Sequence, residues 1–200
     1  MQTPFKGKPK QDRFMEPDEF HKLAAAAKDD LDALRMFVVM GLCGLRTVEV
    51  TWLQVKSLDR NQQGLWVKTA KRKKLSMDFV AVDEDSFRLL EDGVKGRKEA
   101  TPLILYKGQP TSRRQIRYLF HKYKANAGIR KELGPHSLRH LQGIVLTEAG
   151  AVPQEVANRL RHTNLAQVMI YSNLRVKRNQ EMAQDSARAL LPKGQKGMRH

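Results

Sequence analysis

Hydrophobic and polar residues alternate with helical spacing near the start of the chain. Pro17 and the acidic pair that follows it are typical of the first turn of a helix, and Asp29 with Asp30 is expected to start a second one. The apolar positions of that second helix include Leu31, Leu34, Phe37, Val38 and Leu42. A short third helix is predicted from Thr47 to Gln54.

Three short runs rich in β-forming residues follow, and polar or basic segments separate them. They cover Val55 to Leu58, Leu65 to Thr69 and Leu75 to Val82. The segment from Asn61 to Gly64 provides the first turn, and a lysine-rich cluster provides the second. We therefore expect a three-stranded antiparallel meander with a basic turn between its second and third strands.

The second half of the chain is predicted to be mainly helical. Thr111 is expected to cap a helix that ends at Gly128 and has one apolar side and one basic side. The apolar side consists of Ile116, Leu119, Phe120 and Tyr123. Further helices are predicted at His136 to Ala149, Pro153 to Arg161, Asn164 to Tyr171 and Val176 to Leu190. The predicted fold class is therefore α+β, mostly α-helical, with one small three-stranded antiparallel sheet.

The length and composition are those of one globular domain. The chain has 200 residues, of which 40% are hydrophobic and 29% charged, and this disfavours disordered, fibrous and membrane proteins. The longest apolar run, Met36 to Leu45, is too short to span a bilayer. The single cysteine, Cys43, cannot form an internal disulfide and is expected to be a small buried hydrophobe. We expect a cytoplasmic protein with one domain at 16–191, between basic tails at 1–15 and 192–200.

The net charge is the unusual quantity. The chain carries 37 Lys and Arg against 21 Asp and Glu, a formal charge of +16. Such a charge favours a polyanionic partner, and nucleic acid is the first candidate because bound phosphates release condensed counterions. An anionic membrane is the second candidate, but no amphipathic anchor or lipidation motif is visible.

Several familiar kinds of chemistry find no motif in the sequence. There is no Gly-rich phosphate loop, no serine nucleophile elbow and no acidic cluster of the kind that holds magnesium. His136 and His140 have the spacing of a zinc pair on a helix, but Ser137 stands where a metalloprotease needs its catalytic Glu. We expect neither a metal site nor a cofactor.

Five short motifs stand in a fixed order along the chain. They are Arg46 within Gly44-Leu45-Arg46-Thr47-Val48-Glu49, Lys71 at the predicted strand turn, Pro135-His136-Ser137-Leu138-Arg139-His140, His162 after Leu160-Arg161, and Tyr171 nine residues after His162. This order resembles the tyrosine recombinase (phage integrase) family and covers the chain from about Glu16 to Leu190. The resemblance implies a site-specific recombinase or integrase that cleaves and rejoins duplex DNA through a 3′-phosphotyrosyl intermediate, without metal or ATP.

Each candidate catalytic residue type suits that reaction. The permanently charged, planar guanidinium groups of Arg46 and Arg139 can hold the negative charge that develops on the phosphate. A tyrosine hydroxyl has a pKa of about 10 in water, so Tyr171 needs help to lose its proton. His136 is the candidate for that help.

The departing 5′ hydroxyl also needs a proton, and a lysine ammonium can supply it as a general acid. Lys71 is the candidate, with Lys73 as its alternative, while His162 would hydrogen-bond the scissile phosphate. Glu49 and His140 are expected to support the site. A more ordinary interpretation of Tyr171 as core filler stays open.

The basic residues outside the catalytic set are expected to contact DNA. They are Lys68, Arg72, Lys73 and Lys74 around the strand turn, and Arg113, Arg114 and Arg117 on the basic helix. Tyr118 and Tyr123 fall on the same helix and are expected to pack or to contact DNA.

Two features depart from the family pattern. Arg161 precedes the second histidine where the family usually has glycine, and Leu141-Gln142 replaces small polar residues. Many relatives also carry an N-terminal domain that closes around DNA. The chain is therefore either a naturally short member or the catalytic part of a longer protein.

The resemblance implies double-stranded DNA as the partner and association with the nucleoid. It also implies a homotetramer on paired DNA sites, with the helix from Val176 to Leu190 as a candidate for exchange between protomers, and a monomer or weak dimer otherwise. Accessory proteins that bend DNA or set the direction of recombination fit this assembly. Two alternatives stay open, a type IB topoisomerase-like enzyme and a catalytically silent DNA-binding module on the same fold.

Overall fold

The structure is a computed structural model that describes residues 14–71, 74–162, 165–169 and 171. Its α-helices are α1 Pro17–Ala26, α2 Leu31–Gly41, α3 Thr47–Trp52, α4 Glu84–Asp92, α5 Arg113–Asn126, α6 His136–Glu148 and α7 Pro153–Arg159. Its strands are β1 Leu58–Asp59, β2 Gly64–Lys71, β3 Lys74–Ala81, β4 Leu105–Tyr106 and β5 Gln109–Pro110. The predicted class is confirmed, since helices dominate and one three-stranded antiparallel sheet has the order β1-β2-β3.

The first two helices begin where their sequence signals predict. Glu19 accepts a hydrogen bond from the backbone N–H of Glu16 at 2.8 Å, and Asp30 accepts one from Ala33 at 3.1 Å. These bonds satisfy N–H groups that have no partner inside the helix. Helix α2 buries seven of its 11 residues, and five of these belong to the main core.

The first predicted strand is largely a 3₁₀ turn, Val55–Ser57, and only Leu58–Asp59 pairs with β2. The prediction was wrong here because the backbone N–H groups of Val55 and Lys56 donate to Thr101 and Glu99 outside the sheet, at 2.9 and 3.0 Å. The long hairpin of β2 and β3 matches the prediction closely. Lys71 pairs with Lys74 at its tip, and residues 72 and 73 lie outside the described part.

Helix α4 and the β4–β5 pair were not predicted. The Asp83 side chain caps α4 by accepting from the Ser86 N–H at 3.0 Å. Phe87 and Leu90 turn inward from it. The many acidic residues of this segment hid the helical spacing of its few apolar residues, so no helix was predicted there.

Helix α5 begins one residue later than predicted. Ser112, rather than Thr111, accepts from the Gln115 N–H at 3.2 Å, while Thr111 is buried. The predicted apolar side of the helix is buried as expected. Arg113, Arg114 and Arg117 are exposed.

A smaller apolar cluster lies apart from the main core. It consists of Phe14, Ile144, Val156, Ala157, Leu160, Val168 and Tyr171. Within the segment predicted as a helix at 164–171, Leu165–Gln167 is a 3₁₀ turn, and Met169 and Tyr171 are helical. Helix α7 ends at Arg159 rather than Arg161 because Arg161 has a left-handed backbone, φ 54°. The predicted helix from Val176 to Leu190 and the tail at 192–200 lie outside the described residues.

No helix in the described ranges is long and apolar enough to cross a membrane. Cys43 is buried, as predicted, and burial raises the pKa of its thiol to about 12.

Candidate active site

The candidate site is built where the loop before α3 meets α6 and the turn after α7. Gly44 allows this approach, because it has φ 64° and a Cβ at this position would lie 2.7 Å from the Leu160 side chain. The loop places Arg46 at the N-cap position of α3. Glu49, one turn into the helix, accepts from the Arg46 backbone N–H at 2.9 Å and from its Nη1 at 2.6 Å.

Arg46 and Arg139 are exposed to very different degrees. The Arg46 side chain is 30% exposed, whereas that of Arg139 is only 4% exposed. Arg139 lies on α6, and its Nη1 and Nη2 donate to the carbonyl oxygens of Gly44 and Leu160. Burial, and then the nearby Arg46 and Arg161, lower the pKa of Arg139 to about 9. It therefore remains charged at neutral pH.

A third arginine, Arg161, completes this group. Its Nη2 donates to Glu49 Oε2 at 2.9 Å and to the Gly44 carbonyl at 3.1 Å. The sequence showed Arg161 only as a departure from a glycine position and gave no reason to place it in the site. A buried cation beside an apolar turn is costly unless it is paired, and this is the signal that could have found it.

Among the described residues, Glu49 is the one carboxylate that these arginines share, and it is 1% exposed. Burial acts to raise the pKa of Glu49, but Arg161 and the Arg46 backbone and side chain outweigh it, so the pKa is lowered. Three guanidinium groups therefore face one carboxylate. The excess positive charge suits this site to an anion such as a phosphate.

The candidate nucleophile meets α6 through a histidine. The Tyr171 hydroxyl lies 2.7 Å from Nδ1 of His140. The Tyr171 ring also packs on Gly143, where a Cβ would lie 2.5 Å from a ring carbon. Tyr171 is 1% exposed, and burial raises its pKa to about 12. The sequence-based interpretation of Tyr171 as core filler describes its burial, but not the contact of its hydroxyl.

This contact differs from the prediction that His136 assists Tyr171. His136 is exposed, and its ring centroid lies 6.0 Å from that of His140. His140 is one helical turn further along α6, which places it toward the Tyr171 cluster. The residue predicted to support the site is therefore the one that contacts the hydroxyl.

The three histidines of the site are held in the neutral form. Partial burial of its ring, followed by the charges of Arg139 and Arg46, lowers the pKa of His136. Burial, followed by neighbouring positive charges, lowers the pKa values of His140 and His162 to about 4. Arg139 is among the charges that act on all three. Nδ1 of His162 is buried and has no hydrogen-bond partner among the described residues.

The remaining predicted residues are placed only in part. Lys71 ends β2 at the tip of the long hairpin, as predicted, but its side chain lies outside the described part, as do that of Lys74 and all of Arg72 and Lys73. Lys68 is exposed, with its Nζ 5.9 Å from the ring of Trp52. Within the described ranges, no group of three or more His, Cys, Asp or Glu residues could hold a metal ion.

The order and geometry of these residues can be compared with known proteins. The sequence model of the phage integrase family matches residues 13–178. The chain belongs to the phage integrase family. The resemblance drawn from the five motifs is thereby confirmed.

Two curated relatives show how this member compares in length. Tyrosine recombinase XerC of Shewanella amazonensis is 29% identical over 170 residues, which are 80% of this chain and 56% of that protein. The type 1 fimbriae regulatory protein FimB of Escherichia coli K12 is 24% identical over 171 residues, 82% of this chain and 85% of that protein. The chain thus spans little more than half of XerC and most of FimB.

Solved structures share the fold. The crystal structure of XerA recombinase is similar with a TM-score of 0.72 and 21% identity, over 90% of this chain and 66% of that one. A lambda integrase dimer bound to a COC′ core site is similar with a TM-score of 0.64 and 16% identity, over 80% of this chain and 61% of that one. At these identities the likeness concerns the fold of the domain.

Proposed function

We propose that this chain is the catalytic domain of a site-specific DNA recombinase that cleaves and rejoins duplex DNA through a 3′-phosphotyrosyl intermediate. One observation carries the proposal. Arg139 and His140 are consecutive on α6, and Arg139 lies in the arginine cluster while His140 contacts the Tyr171 hydroxyl. One turn of helix therefore joins a phosphate-binding charge to a nucleophile.

The proposed chemistry follows from these positions. The scissile phosphate binds at the partly exposed guanidinium of Arg46, near Arg139 and His162. The Tyr171 oxygen attacks phosphorus while its proton passes to the neutral His140. The bond between phosphorus and the 5′ oxygen breaks, and Lys71 protonates that departing oxygen.

The intermediate keeps the energy of the broken bond. A phosphotyrosyl ester replaces a phosphodiester, and a 5′ hydroxyl from the same or another strand can attack it in reverse. Charge stabilisation by Arg46 and Arg139 serves both directions, since both pass through the same phosphorane-like transition state. The proposed reaction uses neither ATP nor a metal ion.

The assembly around the domain is part of the same proposal. Residues 16–191 form the catalytic domain, and paired DNA sites bring four copies together, with the 176–190 segment as the candidate link between them. Exposed basic residues on α5, together with Lys68 and the hairpin tip, contact the DNA backbone. Cytoplasmic DNA of the nucleoid is the proposed location.

Covalent capture on DNA tests the proposal directly. The protein is incubated with labelled duplexes of randomised sequence that carry a nick, so that the short strand released by cleavage diffuses away and the adduct persists. We expect labelled protein that survives denaturation, both with and without EDTA. Sequencing the captured strands would then give the preferred site. A protein that captures no duplex, or that needs added magnesium, contradicts the proposal.

A further inference from the structure

Arg161 occupies a backbone conformation that favours glycine. Its φ of 54° lies in the left-handed region, which is unfavourable for residues with a Cβ. Residues keep such conformations when other interactions offset the strain, and these positions cluster at functional sites. We therefore expect contacts of the Arg161 side chain to offset the strain of its backbone.

The Arg161 guanidinium fastens two parts of the site together. Nη1 donates to the Arg159 carbonyl at 3.1 Å, and Nη2 donates to both Glu49 Oε2 and the Gly44 carbonyl. In return, Arg46 Nη2 donates to the Arg161 carbonyl at 3.3 Å. Each arginine thus holds the segment that carries the other, and the start of α3 is tied to the turn before His162.

This arrangement also decides which cation neutralises Glu49. Glu49 Oε2 lies 2.9 Å from Arg161 but 3.9 Å from Arg139 Nη1. With Arg161 on this oxygen, Arg139 is not drawn into a direct hydrogen bond to the carboxylate. Glu49 Oε1 stays with Arg46 at 2.6 Å.

We propose that Arg161 is a positioning residue for DNA cleavage, which holds Glu49 so that Arg46 presents its guanidinium to the scissile phosphate and Arg139 is left without a direct hydrogen bond to the carboxylate. The inference rests on the proposed function. It differs from a purely structural role because it predicts an effect on the chemistry of the phosphate beyond any effect on folding.

The charges around Glu49 give the proposal a pH signature. Arg46 at the start of α3, Arg139 and His136 on α6, and Arg161 after α7 all act on this carboxyl group. Burial acts to raise the pKa of Glu49, and Arg161 is the strongest influence that opposes it. Without Arg161, Glu49 takes up a proton at a higher pH and loosens its hold on Arg46.

The test compares Arg161→Gly, Arg161→Lys and a neighbouring control, Arg159→Gln. Arg159 is a suitable control because its Nη2 donates to the Ala81 carbonyl at 2.9 Å and it makes no ion pair with a carboxylate among the described residues. The rate of adduct formation is measured across acidic and neutral pH on the nicked duplex that the wild type captures best. DNA affinity and melting temperature are measured alongside.

We expect Arg161→Gly to slow adduct formation by about 10- to 100-fold, the scale of a small misplacement of catalytic groups, while DNA affinity changes little. The pH at which its rate of adduct formation falls on the acidic side of the pH–rate profile should also be higher than in the wild type. Arg161→Lys should form the adduct several-fold more slowly than the wild type but with the same dependence on acidic pH, because an ammonium keeps the charge but not the planar fork. Arg159→Gln should lower the melting temperature and leave the dependence on acidic pH unchanged.

The proposal would be overturned if Arg161→Gly formed the adduct at the wild-type rate and with the wild-type dependence on acidic pH. If that variant does not fold, Arg161→Lys decides, and a wild-type rate there would overturn it. Capture by the wild type with unaffected Arg161 variants contradicts only this inference. Absence of capture by the wild type contradicts the proposed function, and the inference with it.

Discussion

The hydroxyl of Tyr171 lies 2.7 Å from Nδ1 of His140, in a cluster of apolar side chains at the end of α6. Burial raises the pKa of Tyr171 to about 12 and lowers that of His140 to about 4. In this arrangement the proton stays on Tyr171. The same bond gives the proton a defined acceptor when the oxygen attacks a phosphorus atom.

Replacing His140 by phenylalanine tests this role. His140→Phe keeps an aromatic ring beside Phe14, which lies 5.7 Å away between centroids, but removes both nitrogens. We expect adduct formation to fall by about 10²- to 10⁴-fold, the usual contribution of a general base. Binding of the same duplex should be nearly unchanged.

Two further histidines serve as comparisons for this variant. His121 is exposed on α5, and His121→Phe should react at the wild-type rate. His136→Phe distinguishes the geometry from the sequence-based assignment. A larger loss in His136→Phe than in His140→Phe would return the role to His136.

Gly143 leaves the space that the Tyr171 ring fills. An added Cβ would lie 2.5 Å from one ring carbon and 2.7 Å from another, so Gly143→Ala must displace the ring. Alanine gains about 1 kcal/mol over glycine in a helix, whereas overpacking costs about 1–3 kcal/mol. We expect a slightly less stable protein with much slower adduct formation, measured by urea unfolding and covalent capture.

Gly134→Ala is the matched control for this variant, because a Cβ there meets nothing within 4 Å. It should keep the wild-type rate. Equal rates in the two variants would show that the Tyr171 ring does not need its place against α6.

The sequence predicted those elements whose signals are local. Asp30 and the acidic start of α1 are capping signals, and the β2–β3 hairpin carries a long β-rich pattern on each side of a basic turn. The sequence-based prediction of the first strand was wrong because the backbone N–H groups of Val55 and Lys56 donate hydrogen bonds to Thr101 and Glu99 in a distant loop. No local pattern records such bonds.

The candidate site shows the same division. The order of the motifs predicted that Arg46, Arg139, His162 and Tyr171 act together, and their joint use stays a prediction. The side chain that touches the Tyr171 hydroxyl depends on the exact rotation of α6, which spacing alone does not fix. The contribution of Arg161 depends on a carboxylate 112 positions away in sequence.

The role of Lys71 can be tested through the leaving group. Lys71→Ala should slow cleavage strongly on an ordinary duplex, because the 5′ oxygen leaves as a poor, unprotonated anion. A duplex with sulfur at the 5′ bridging position releases a thiolate that needs no proton, so cleavage should recover. Quantified adduct on both duplexes measures this, and recovery in Lys73→Ala instead would move the role to Lys73.

The buried histidines predict how stability depends on pH. Folding lowers the pKa of His140 from 6.5 to about 4, so its neutral form is favoured in the folded state. Its contribution is complete above pH 6.5 and is lost as the pH falls toward 4. On acidification through this range, the wild type should lose about 2 kcal/mol more than His140→Phe, after allowance for partial solvent exposure of the ring.

Urea unfolding of both proteins at a series of pH values measures this difference. His162 and the carboxyl groups titrate in both proteins, and the electrostatic interactions of His140 with His136 and His162 are part of the measured difference. Parallel curves for the wild type and His140→Phe would show that His140 is not held neutral by burial.

The most direct test of the central claim is to identify the residue that becomes linked to DNA. The four tyrosines of the chain fall in four different tryptic peptides, and Tyr171 is the only one between His162 and Arg175. After covalent capture and digestion of DNA and protein, mass spectrometry should find the nucleotide on that peptide, and Tyr171→Phe should bind the duplex without forming an adduct. A nucleotide on another tyrosine, or an adduct formed by Tyr171→Phe, would contradict the account.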